Sequence, residues 1–186
     1  MSDPVIMPMP PGIFAVVLLR RARAYFEGFL RLSEDATTDP SHALSHPTYF
    51  LYNHALELLL KAHLAASGES ERRLAKLGHD LRSIHDACNE LGLPPVEGLR
   101  GVILTMAENN QDHDFRYPTP FNLRVPMPSY CAEVFRALEP VIAPKVDVAE
   151  TVARSEIQAH AARNDIRRIR FASEVAGKAK RRKPPS

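Results

Sequence analysis

Residues 48–66 are predicted to form one helix that is apolar almost all round, and this segment constrains the fold more than any other. Its central part, residues 51–63, reads LYNHALELLLKAH. A helix without a polar face is typical of a protein interior, where neighbouring elements cover it on several sides. We therefore expect the rest of the chain to fold around this helix.

Three ionisable residues interrupt this apolar helix: His54, Glu57 and Lys61. At about 100° per residue they lie at roughly 0°, 300° and 340° around the helix axis, in one stripe about 60° wide. Glu57 and Lys61 form an i, i+4 pair in the favoured order, with the acid first. If the stripe is buried, the carboxylate needs a cation and further hydrogen-bond donors.

Apolar residues recur at helical spacing along most of the chain, and no segment alternates as a strand would. Pro140 is expected to bend or end the helix that contains it. These patterns predict an all-α fold, a bundle of about five helices followed by an additional C-terminal helix and a basic tail. The predicted helical segments are 13–33, 48–66, 69–81 with a turn, 81–91, a helix from Pro94-Pro95 to about Asn109, 129–142 and 147–175.

Composition and proline positions divide the chain into four parts. With 186 residues, of which 45% are apolar, the chain is long enough for one domain with a hydrophobic core. The Pro-rich N-terminus and the basic C-terminus are expected to be disordered. The predicted parts are a disordered N-terminus at 1–11, a helical bundle at 12–145, an appended helix at 146–176 and a disordered tail at 177–186.

The sequence predicts a soluble cytoplasmic protein. No run approaches about 18 apolar residues, so no membrane span is expected. The short apolar run at 13–19 is followed by arginines rather than preceded by them, the reverse of a secretory signal. Cys88 and Cys131 lie far apart in apolar stretches, which favours buried free thiols and a reducing compartment.

Positive charge is concentrated near the C-terminus. Residues 154–183 carry ten basic and three acidic side chains, a net charge of +7, while the rest of the chain carries −5. This segment can be a solvated helix, a non-specific nucleic-acid arm or a contact for an acidic partner. Phe171 is its only aromatic residue, so sequence-specific RNA reading is not expected. The candidate nucleic-acid contacts are Arg167, Arg168, Arg170, Lys180, Arg181 and Arg182.

Two further motifs can complete the polar stripe. GHDL at 78–81 places His79 and Asp80 at a helix start, and HDFRYP at 113–118 places Arg116 and Tyr117 in the long loop 109–128. Three interpretations are open: a solvent-facing stripe, a buried network that fixes helix register, and a ligand or catalytic site. The predicted polar cluster consists of His54, Glu57, Lys61, His79, Asp80, Arg116 and Tyr117.

The same motifs carry a family resemblance. HALELLLKAHLAASG at 54–68, LGHDL at 77–81 and RYP at 116–118 together resemble the HEPN superfamily, over about residues 46–142. The resemblance implies a bundle of four to five helices that is often dimeric and often partnered by a small nucleotidyltransferase. It also implies a role in nucleotide-related systems, toxin–antitoxin pairs or RNA cleavage.

The nuclease members of that family place an Arg and a His within a short helical window. The cation holds the scissile phosphate and the imidazole helps the 2′-hydroxyl to attack, without a metal. Arg73 with His79 and Arg154 with His160 have such a spacing, but Gly78 interrupts the first pair and the second lies outside the resembling segment.

No metal or cofactor site is predicted. Glycine-rich phosphate loops and C-x-x-C pairs are absent from the sequence. Asp112, His113 and Asp114 read as a solvated loop, because no second cluster has matching spacing.

The leading functional hypothesis is a non-catalytic binding or regulatory module in a nucleotide- or RNA-linked system of the defence or toxin–antitoxin type, acting as a homodimer. One alternative is a metal-independent endoribonuclease that uses one of the Arg/His pairs. The other is a structural protein that assembles through its C-terminal helix.

Overall fold

The computed structural model describes residues 9–38, 44–109 and 124–181, without the side chains of 35–38, 165 and 167–181. Within these ranges the chain forms six helices and no strand, which confirms the predicted all-α fold. The helices are α1 (Pro11–Thr38), α2 (Ser45–Ala66), α3 (Glu71–Lys76), α4 (Leu81–Glu90), α5 (Leu99–Asn109) and α6 (Pro128–Arg181).

Helix α2 is the centre of the bundle, as its apolar sequence predicts. It buries 15 of its 22 residues and contacts α1, α3, α4 and α6. Aromatic rings join its neighbours in the core: Phe29 of α1 packs on Tyr52 at a centroid distance of 4.9 Å, and Phe26 stacks on Phe135 of α6 at 4.0 Å. Polar side chains on α2 therefore lie in an environment that water reaches only through gaps between helices.

Helix α5 begins later than the sequence predicts. Pro94 and Pro95 lie in coil, and the helix starts at Leu99. The reason is Gly98, whose φ of +75° lies in the left-handed region and ends any helical run that comes before it. The backbone N–H of Leu99 instead donates to the carbonyl of Val96 across a turn.

The helix that contains Pro140 does not end there, and the prediction of a separate helix from 147 is wrong. Helix α6 continues through Pro140 and Pro144 as one helix of 54 residues. A proline costs one backbone hydrogen bond and crowds the preceding turn. Here both prolines are exposed, whereas Leu138 and Ile142 are buried against the core. Packing of the opposite face therefore holds the helix together, and residues 145 and 146, the predicted boundary, lie inside α6.

The two cysteines are buried free thiols, as predicted. No helix in the described ranges is both long and apolar enough to cross a membrane. Beyond Ala153, the described side chains of α6 are exposed, so this helix leaves the bundle.

Candidate functional site

The Glu57 carboxylate is buried inside the bundle and is paired with Lys61. Glu57 is 2% exposed and Lys61 is 9% exposed. The Lys61 ammonium donates to Glu57 Oε1 at 2.7 Å and to the backbone carbonyl of Gly78 at 2.6 Å. Their burial excludes the solvent-facing interpretation of the stripe.

The turn after α3 adds a histidine to this pair. Gly78 has a φ of +60°, a left-handed conformation that favours glycine, and its carbonyl contacts Lys61. The next residue, His79, places Nδ1 at 3.0 and 3.1 Å from the two carboxylate oxygens of Glu57. One tight turn therefore supplies both an acceptor for the ammonium and a donor for the carboxylate.

His54 lies beside the same carboxylate and between two aromatic rings. Its Nδ1 is 3.8 Å from Glu57 Oε2, which is an ion-pair distance rather than a hydrogen bond. The Tyr25 ring meets the imidazole edge-on at a centroid distance of 4.4 Å, and Phe50 lies parallel to it at 6.2 Å. His54, Glu57, Lys61 and His79 form what we call the Glu57 network.

The network keeps Glu57 ionised. Burial alone would raise the pKa of this carboxyl group, but the neighbouring His54 imidazole, the hydrogen bond and charge of Lys61 and the hydrogen bond from His79 together lower it from 4.5 to about 2. Since its oxygens are already engaged by these donors, Glu57 is a poor proton acceptor at neutral pH. The arrangement suits electrostatic positioning better than general-base chemistry.

The Glu57 network forms the floor of an open cavity of about 520 Å³ between α1, α2 and α3. Arg21 and Glu71 lie at its rim, on α1 and α3, and both are exposed. Most of the other lining side chains are apolar. The cavity is lined by Phe14, Leu18, Arg21, Tyr25, His54, Glu57, Leu58, Lys61, Glu71, Leu74, Ala75 and His79.

Sequence reasoning missed the contribution of α1 to the cavity. Phe14, Leu18, Arg21 and Tyr25 follow one another at spacings of four, three and four residues, so they share one face of the helix. That spacing was the available signal, but it does not reveal which other helix the face approaches. Glu71, at the start of α3, was missed for the same reason.

Asp80 does not join the network, contrary to its predicted place in the cluster. Its carboxylate caps α4, accepting from the backbone N–H groups of Arg82 and Ser83 and from the Ser83 hydroxyl at 2.5 Å. Both carboxylate oxygens are engaged at the start of α4, so the side chain acts as a helix cap. Arg116 and Tyr117, the other predicted members, lie outside the described residues.

No hydrogen bond joins Arg73 to His79 or Arg154 to His160 among the described residues. Arg73 is exposed on α3, while His79 is turned towards Glu57. Arg154 donates twice to Glu150, at 2.8 and 2.6 Å, and both Arg154 and His160 are exposed. Six residues along a helix correspond to a rotation of about 240° and a rise of about 9 Å, so Arg154 and His160 point to different sides.

The described side chains contain no group of three or more His, Cys, Asp or Glu residues that could hold a metal ion. The side chains of the basic tail residues, from Arg167 to Arg182, are outside the described part of the chain. Comparison with protein-family models, with curated proteins and with solved structures found no match to this chain.

Proposed function

We propose that this protein is a non-catalytic binding module in a nucleotide- or RNA-linked system, and that the cavity above the Glu57 network is its binding site. The class of system follows from the HEPN resemblance of residues 46–142. The observation that carries the proposal is an ionised, buried carboxylate with its cation at the floor of an open cavity.

Stability alone does not explain why the central helix carries this pair. Replacing a buried ion pair by well-packed apolar residues is often neutral or stabilising. Leucine or methionine at positions 57 and 61 would continue the apolar surface of α2. A network that opens on a cavity of about 520 Å³ instead offers fixed polar groups to a ligand, in a volume typical of small-molecule sites.

The same resemblance supports the wider setting of the proposal. It implies a homodimer, a small nucleotidyltransferase partner and a defence or toxin–antitoxin system; the proposed location is the cytoplasm. Non-specific RNA contact through the basic tail is part of the same proposal, because residues 154–183 carry a net charge of +7.

The deciding experiment separates binding from catalysis. Purified protein is incubated with total RNA in EDTA, beside His79→Ala and His160→Ala variants, and the same preparations are titrated with nucleotides by calorimetry. The proposal expects no cleavage in any sample and nucleotide binding that is lost when the cavity is filled by Ala75→Trp. Lys76→Trp is the matched control, because Lys76 lies on the same exposed helix but does not line the cavity.

Cleavage that is lost in only one histidine variant would overturn the proposal, and would make the protein a metal-independent ribonuclease with that histidine at its active site. Nucleotide binding that survives Ala75→Trp would show that the cavity is not the binding site.

A second candidate function is assembly through α6, which the exposure of that helix favours. Val148, Val152 and Ile166 are 65%, 53% and 52% exposed. They lie within about 40° of one another around the axis, in one apolar line on the segment that leaves the bundle. In this reading the protein is a structural component that associates through α6.

Sedimentation velocity tests this second function. Val152→Glu is expected to abolish association, whereas Ile157→Glu should leave it unchanged, because the exposed Ile157 lies about 180° from Val148 on the same helix. A wild-type protein that is monomeric at all concentrations, or equal effects of the two substitutions, would reject this candidate.

A further inference from the structure

We infer that the cavity takes a small organic anion, with its acidic group on the Lys61, His79 and Arg21 side and an apolar or aromatic body among the side chains of α1 and α3. This inference rests on the proposed function, since it names the ligand class of the same cavity.

Lys61 has one hydrogen-bond donor left over. An ammonium group carries three N–H donors. Two are used, on Glu57 Oε1 and on the Gly78 carbonyl, and no third acceptor lies among the described residues. Lys61 is 9% exposed and lines the cavity. A buried donor of this kind is costly when unpaired, and an acceptor placed in the cavity would satisfy it.

An imidazole and a second cation face the cavity from different elements. His79 uses Nδ1 on Glu57, so Nε2 lies on the other side of a ring that is 53% exposed and lines the cavity. Arg21 reaches the rim from α1, and its guanidinium has no hydrogen-bond or ion-pair partner within the described ranges. Two cations, from α1 and α2, therefore lie at one opening beside the His79 ring, whose Nε2 donates only when the imidazole carries both protons.

The remaining wall suits an uncharged body. Phe14, Leu18 and Tyr25 line the cavity from α1, Leu58 from α2 and Leu74 from α3. A ring placed here would contact aromatic and aliphatic side chains and remove both surfaces from water. Ligand sites commonly combine such walls with a few directed polar groups.

Glu57 and Glu71, the two acids that line the cavity, differ in how strongly they repel an anion. Glu57 is compensated by Lys61 and His79, so it repels an incoming anion little. Glu71 is exposed on the first turn of α3, and no described side chain forms an ion pair with it. Removing Arg21 and removing Glu71 should therefore change the affinity for an anion in opposite directions.

Calorimetry with matched probes tests the ligand class. AMP is compared with adenosine, and 1-naphthoate with 1-naphthamide, so that each anion is paired with a neutral compound of the same body. Inorganic phosphate supplies an anion without a body. The inference expects AMP or 1-naphthoate to bind at least about tenfold more tightly than its neutral counterpart and than phosphate, since a charged hydrogen bond is worth about 1.5 kcal/mol or more. Binding of AMP would identify the acidic group of the ligand as a phosphate, and binding of 1-naphthoate would identify it as a carboxylate.

Charge variants then locate the acidic group. Arg21→Gln should weaken anion binding about threefold or more, and Arg20→Gln should not, because Arg20 is the adjacent exposed arginine and does not line the cavity. Glu71→Gln should strengthen anion binding about twofold.

Neutral probes that bind as tightly as the anions, or charge variants with the reverse signs, would overturn the inference. If that binding is still lost in Ala75→Trp, the cavity remains a binding site and only the ligand class fails. If AMP, adenosine, 1-naphthoate and 1-naphthamide all fail to bind at millimolar concentration, the ligand class and the proposed site fail together.

Discussion

Glu57→Gln tests the electrostatics of the central helix, because glutamine resembles the protonated form of the acid. The folded protein lowers the pKa of Glu57 from 4.5 to about 2, which favours the ionised carboxylate in the folded state. Since one pKa unit corresponds to about 1.4 kcal/mol, this shift is equivalent to about 3 kcal/mol of folding free energy at neutral pH. Glu57→Gln should therefore reduce the free energy of unfolding by about 3 kcal/mol at pH 7.

The stability difference between wild type and Glu57→Gln should become smaller as the pH falls. A carboxyl group whose pKa is lowered by folding contributes its full stabilisation above its unfolded pKa, and loses it as the pH falls towards the folded pKa. The difference between wild type and Glu57→Gln should therefore be constant above about pH 5 and shrink below it, to about 1.5 kcal/mol at pH 3. At lower pH the two proteins should converge.

Urea unfolding followed by far-ultraviolet circular dichroism measures this difference at each pH. Glu71→Gln is the control, since this acid lines the same cavity but is exposed, and its loss should change stability by less than about 0.5 kcal/mol. A difference for Glu57→Gln that stays the same from pH 7 to pH 3, or that is below about 1 kcal/mol at pH 7, would refute the electrostatic reasoning.

Three further predictions concern the core. Burial, and then the charge of Lys145, lowers the pKa of the buried His63 from 6.5 to about 4. Because this imidazole must be protonated as the pH falls from 6.5 to 4, its contribution to the free energy of unfolding should drop by up to about 3 kcal/mol. His63→Gln should not show this drop when unfolding is measured across the same pH range. Burial raises the pKa of both cysteine thiols to about 12, so a thiol reagent should label neither in the native protein and two after unfolding; rapid native labelling would contradict their burial. Gly12→Ala should lower the free energy of unfolding in urea by more than about 1 kcal/mol, because a Cβ there would collide with the backbone of α6. The control Gly101→Ala, in open space on α5, should raise it by about 0.5 kcal/mol. Equal effects of the two substitutions would contradict the close approach of α1 and α6.

The sequence predicts the parts of this fold that depend on local pattern. The central position of α2 follows from its apolar circumference, and the contact of Glu57 with Lys61 follows from their i, i+4 spacing. Asp80 shows the limit of such reasoning, because the same residue type at a helix start suits both a cap and a polar cluster. The hydrogen bonds from the backbone N–H groups of Arg82 and Ser83 show that it is a cap.

Long-range packing accounts for what the sequence does not predict. Arg21 and Tyr25 reach the cavity because α1 lies along α2, and no local pattern in α1 specifies that partner. The continuity of α6 is a second case, since the local rule for Pro140 is overridden by burial of the opposite helix face. The roles predicted for Arg116 and Tyr117 stay predictions, because both lie outside the described residues.

The ionisable stripe on α2 fixes the rotation of this helix about its axis, which its apolar surface alone does not. A helix covered with leucine and alanine on nearly every side can pack in several rotations about its axis, because burial of apolar area is not directional. The contacts of Lys61 with Gly78, and of Glu57 with His79, exist in only one rotation, so they select the face that meets the turn after α3. The same contacts leave Lys61, which lines the cavity, with one donor that has no acceptor among the described residues, so a network that fixes helix register and a ligand site are compatible uses of the same residues.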